Sequence, residues 1–99
     1  MPDLPEDLSE VRRIILEGLH GHEVRVYLFG SWVRGSAGRA SDIDVGVLPL
    51  EPLPEGLLSA IREELEESLV PYPVDLVDLS EAAPAFRDRV LLEGLPWSG

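Results

Sequence analysis

Asp42 and Asp44 stand one residue apart in the apolar run "DIDVGVLPL", shortly after the pair Gly30-Ser31. Alternate residues of a strand point to one face, so the two carboxylates project together while Ile43, Val45 and Val47 supply a buried side. Gly46 continues the aspartate face without bulk. Aspartate is depleted in strands, and two like charges about 5 Å apart repel by roughly 3 kcal/mol at an effective dielectric near 20. Some cation should compensate them. Either Arg34 and Arg39 pair with them on an ordinary edge strand, or a metal does so. A third carboxylate, Asp75 in "PVDLVDL", fits the second case, because neighbouring strands about 4.8 Å apart let three aspartates converge. Asp78 competes for that place but falls on the opposite face of a regular strand, so Asp75 is preferred. Three aspartates suit magnesium, a hard cation that takes oxygen ligands. Two such ions about 3.5–4 Å apart can bridge phosphate oxygens and lower the pKa of an attacking hydroxyl.

Gly30-Ser31 has a complementary task. A turn into a helix N-terminus presents backbone N–H groups to phosphate oxygens, a serine hydroxyl adds a donor, and glycine lets the ligand approach. A lone Gly-Ser or a bare D-x-D is weak as a signal; their order along the chain carries the weight. Arg34 suits two uses equally, clamping phosphate bidentately or pairing with a nearby carboxylate.

The elements that must position these residues follow from periodicity. "EDLSEVRRIILEGLHG" carries Leu8, Val11, Ile14, Ile15 and Leu19 at helical spacing, with Gly21 as a stop. "EVRVYLF" alternates as a strand, with Val24, Val26 and Leu28 on one face and Arg25, Tyr27 and Phe29 on the other. Gly30-Ser31 opens a short helical turn, "GSAGRAS" is a loop, and "DIDVGVLPL" is the second strand, ended by "LPLEPLPEG". "GLLSAIREELEESLV" reads as a second long helix through Leu57, Leu58, Ile61, Leu65 and Leu69, its glutamate-rich face solvated. "VDLVDL" is a third strand and "APAFRDRVLLEGL" a last helix. The order predicts an α+β fold of mixed α/β order, a short mixed sheet with helices packed on one face.

Composition bounds the rest. A chain of 99 residues reads as a single domain, residues 1–99, with a modest core. Nineteen acidic residues against eight arginines and no lysine give a net charge of -11, which opposes direct nucleic-acid binding and favours a basic protein partner. The same charge repels ATP at range, so a nucleotide site needs local cations, backbone donors and metal. No apolar run is long enough to span a bilayer and no basic leader opens the chain, so no membrane association and a cytoplasmic location are expected. The absence of cysteine excludes thiolate metal sites. His20 and His22, at the end of the first helix, are assigned no role.

Together, Gly30-Ser31, ten residues, Asp42-x-Asp44 and a later Asp75 resemble the signature of the polymerase-beta-like nucleotidyltransferase superfamily. With "LFGSWVRGSAGRASDIDVGV" and "VDLVDL", the chain looks like the minimal nucleotidyltransferase family, the single-domain MntA-like proteins, over nearly all its length. The resemblance implies a small nucleotidyltransferase fold and magnesium-dependent transfer of AMP from ATP to a hydroxyl, with pyrophosphate leaving. It implies that Asp42 and Asp44 hold two metal ions, that Asp75 completes the acceptor-side metal site and takes the hydroxyl proton, and that Gly30 and Ser31 hold the terminal phosphates. It further implies a HEPN-domain partner, a ribonuclease toxin adenylylated on a tyrosine. One residue departs from the pattern: Trp32 stands where the family commonly has a basic residue, and Arg39 could supply that phosphate contact. Trp32 itself is either a core or interface anchor or a platform for a base. Two other functions stay open. One is a non-catalytic antitoxin that occludes its partner; the other is transfer to a small molecule, for which a homo-oligomer could build the acceptor pocket.

Overall fold

The computed structural model describes residues 6–34 and 42–97. Its elements are α1 (Glu6–Gly18), β1 (Val24–Phe29), α2 (Ser31–Arg34), β2 (Ile43–Pro49), α3 (Leu57–Glu67), β3 (Val74–Asp78), α4 (Pro84–Glu93) and β4 (Leu95–Pro96). The strands form one mixed sheet in the order β3-β2-β1-β4. β1 is antiparallel to β2 and β4, and β2 is parallel to β3. A parallel pair needs a long crossover, and α3 supplies it.

Burial follows the predicted periods. Leu8, Val11, Ile14 and Ile15 of α1 and Ile61 and Leu65 of α3 pack with Val26, Leu28, Ile43, Val45, Val47 and Leu76 of the sheet. Each such aliphatic side chain contributes about 1.5–3 kcal/mol when fully buried. This is the expected helix-covered face. On the opposite face α4 adds a second, smaller cluster, in which Val90 packs with Tyr27 and Leu79. Gly46 makes room for that cluster: a Cβ there would lie 2.9 Å from Leu79 Cδ1. α4 thus covers the Tyr27 part of the second face, beside the strand ends that carry the aspartates.

Two predicted boundaries shift. The sequence predicts an α3 stripe that runs to Leu69, yet the helix stops at Glu67, where Ser68 turns extended and its hydroxyl donates to Leu65 O at 2.6 Å. Leu69 is consequently 99% exposed instead of lying on the buried stripe. The sequence predicts a last helix through Leu95, but it ends at Glu93 and Leu95–Pro96 pairs with Leu28 and Tyr27 as a fourth strand. Trp97 secures that strand by donating its N–H to Val26 O at 2.8 Å, and Arg12 of α1 donates to Trp97 O at 2.9 Å. Arg62 of α3 donates through Nε and Nη2 to Leu76 O, at 3.3 and 2.8 Å, so it occupies a backbone acceptor of edge strand β3. Among the described residues no helix is long and apolar enough to cross a membrane.

Candidate active site

The register of the sheet decides which carboxylates meet. Asp44 of β2 lies directly beside Asp75 of β3 in the parallel pair, and opposite Phe29 of β1 in the antiparallel one. Asp44 and Asp75 therefore share the face that α1 and α3 leave uncovered, about one strand spacing apart. Asp44 is half-buried and Asp75 exposed. Asp42 comes just before the first residue of β2 and is exposed; the next residue, Ile43, anchors the entry by donating its N–H to Pro73 O at 2.8 Å. Among the described residues no three His, Cys, Asp or Glu side chains converge on one point as a metal site would require. Asp44 and Asp75 are neighbours, with Asp42 at their margin. Three like charges repel at this spacing, and a divalent cation is what would draw them together.

Asp78 pairs in register with Val47, on the opposite side of the strand from Asp75. Its Oδ1 accepts from Ser80 N at 2.9 Å and Ser80 Oγ at 2.6 Å, which ties it into the turn after β3. That use as a turn residue is a common one for aspartate.

Gly30 ends β1 with φ at +79°, a conformation that side chains disfavour. Its carbonyl accepts from Val33 N at 3.1 Å, which closes the tight turn into α2. A Cβ placed on Gly30 would overlap the Asp44 carboxylate and lie 3.2 Å from Asp44 Cγ. The glycine is thus required twice, by the backbone angle and by the approach of Asp44. Ser31 opens α2 and Arg34 closes it; the tasks given to their side chains, and Arg39 as a whole, lie outside the described residues.

Trp32 packs against the main core and meets Tyr72 edge to face, with ring centroids 5.1 Å apart. Its indole Nε1 is buried without a hydrogen-bond partner among the described residues. Packing on this scale makes it a core anchor, the first of the two readings of Trp32. His20 and His22 sit in the turn before β1, at the other end of that strand from the carboxylates.

Sequence reasoning missed the apolar residues that pack beside Gly30. Phe29 and Phe86 meet edge to face with ring centroids 5.6 Å apart, and with Gly30, Val33 and Val90 they line an apolar cleft. Nothing local announces such a contact, because Phe86 is brought to β1 only by the docking of α4.

The sequence profile of the family described as "Polymerase beta, Nucleotidyltransferase" matches residues 19–96. The chain is 32% identical over 85 residues to the "Probable protein adenylyltransferase MntA" of Haemophilus influenzae, covering 86% of this chain and 73% of that protein. It is similar to a chain of a toxin-antitoxin crystallised with AMP-PNP, with a TM-score of 0.69 and 31% identity over 89% of this chain and 73% of that one. It is also similar to a chain of the complex of a tri-AMPylated Shewanella oneidensis HEPN toxin with MNT antitoxin, with a TM-score of 0.67 and 25% identity over 94% and 70% of the respective chains. The matched span contains the Gly30 turn and every aspartate of the carboxylate face, and the chain belongs to the polymerase beta nucleotidyltransferase family.

Proposed function

We propose that this nucleotidyltransferase moves AMP from ATP to a tyrosine hydroxyl of a HEPN-domain partner, with magnesium, and so acts as the antitoxin of a toxin-antitoxin pair. The observation that carries the reading is the side-by-side register of Asp44 and Asp75, with Gly30 held against the Asp44 carboxylate. The names of the similar proteins lend it support, since one is called a protein adenylyltransferase and another is a complex of an antitoxin with an AMPylated HEPN toxin.

The donor set fits magnesium. Asp42, Asp44 and Asp75 offer hard oxygen ligands only, the kind this ion takes. Two ions held there would polarise the phosphorus and lower the pKa of the attacking hydroxyl. The chain's own residues do the remainder. Gly30 and Ser31 orient the terminal phosphates, with Arg34 and Arg39 as further phosphate contacts. Asp75 takes the acceptor's proton as the hydroxyl oxygen bonds to the α-phosphorus and the bond to the β-phosphate oxygen breaks, releasing pyrophosphate. Proton transfer to a positioned base of this kind is worth about 10²–10⁴-fold in rate. A net charge of -11 favours docking on a basic partner and offers bare ATP no long-range attraction.

The test incubates the purified chain with a cognate helical partner, ATP and magnesium, and weighs the partner by mass spectrometry. The expected result is a gain of one or more AMP groups on a tyrosine. A folded partner of unchanged mass would overturn the modifying role.

A further inference from the structure

The face that bears the carboxylates holds a second feature that the transfer scheme does not use. Phe29, Val33, Phe86 and Val90 wall an apolar cleft of about 200 Å³, and Gly30 also lines it. Its walls come from the end of β1, from α2 and from α4, with none from β2 or β3. Gly30 is therefore shared: it lies against the Asp44 carboxylate and also lines the cleft.

We propose that this cleft seats the nucleobase of the bound nucleotide, an inference that rests on the transfer reading above. Its volume is below the roughly 300–1,000 Å³ of a site for a whole drug-sized ligand, so it takes one ring system and leaves ribose and phosphates outside. Apolar walls with two phenyl rings suit a planar aromatic ring and would not hold a phosphate. The rim adds polar selectivity. Arg89 and Glu93, one turn apart on α4, lie 3.4 Å from each other and border the cleft. They present a donor and an acceptor side by side, the complement of a base edge that carries both.

Sheet order separates the base from the acceptor's ring. Asp75, which takes the acceptor's proton, is on β3, and β2 lies between it and β1. Two strand spacings, about 10 Å, separate that carboxylate from the Phe29 strand, too far for a tyrosine buried in the cleft to place its hydroxyl at Asp75. A base lies at the far end of a ribose and can span from the cleft to phosphates at the Gly30 turn.

The experiment measures binding of magnesium-ATP and of magnesium-tripolyphosphate to the full chain and to Phe86→Ala, with circular dichroism as the fold control. Phe86 is 41% exposed, so the truncation leaves the core in place. The expected result is that the native chain binds ATP roughly tenfold tighter than tripolyphosphate, and that the substitution removes about that factor for ATP alone. In the unsubstituted chain, adenine protons should give nuclear Overhauser effects to the rings of Phe29 and Phe86. Equal affinity for the two ligands, an ATP affinity indifferent to Phe86→Ala, or Overhauser contacts away from those rings would overturn the cleft assignment and leave the phosphate reading standing. Failure of both ligands to bind would overturn both.

Discussion

Replacing Asp44 with asparagine leaves a folded protein that no longer transfers nucleotide. Asp44 is half-buried between Phe29 and Asp75 in register, against the Gly30 turn, so an isosteric amide keeps the packing while removing the charge. A preorganised charged group in such a site is worth at least about 10²–10³ in rate. The folded state should persist, because asparagine occupies the same volume and the core on the other face is untouched. The measurement is the rate of AMP incorporation into the partner beside a thermal melt. A variant that transfers at the native rate would remove Asp44 from the chemistry. Neutralisation of the partner that survives the substitution would favour occlusion over modification.

Gly30→Ala should cost both stability and activity, whereas Gly21→Ala should cost stability alone. Both glycines have positive φ, +79° and +87°, where a Cβ adds about 1–2 kcal/mol of backbone strain. Only at Gly30 does the new methyl collide with Asp44; around Gly21 there is nothing within 4 Å. The Asp44 carboxylate must move to make room, and displacements near 1 Å in a reacting constellation cost about 10²-fold in rate. Denaturant unfolding and the transfer assay on the two variants separate strain from misplacement. Equal activity in both would show that the contact between Gly30 and Asp44 does not matter to the reaction.

The parts of the fold that are legible in the sequence are those written in long periods. The α1 stripe from Leu8 to Leu19 and the alternation of Val24, Val26 and Leu28 each repeat enough times to declare an element and a face. Strand alternation also separated Asp75 from Asp78, because a carboxylate three residues along a strand must point the other way. β4 was not legible, since two residues have no period; it exists because Gly94 stops α4 and Trp97 anchors the chain at Val26. Leu69 departs from its pattern for the opposite reason: it continues the stripe in sequence, but Ser68 ends the helix before the stripe reaches it. The pairing of Asp44 with Asp75 needed the register between β2 and β3, which the long α3 crossover sets through packing rather than through any local turn. The Phe29–Phe86 contact depends in the same way on where α4 docks.

The most direct test uses manganese as a paramagnetic stand-in for magnesium, titrated with ATP into the isotope-labelled chain and followed residue by residue by nuclear magnetic resonance. If the carboxylates of β2 and β3 hold the metal, line broadening will centre on Asp42, Asp44 and Asp75, extend to Gly30, and vanish in Asp44→Asn. Broadening centred on the glutamates of α3, or left unchanged by Asp44→Asn, would contradict the account.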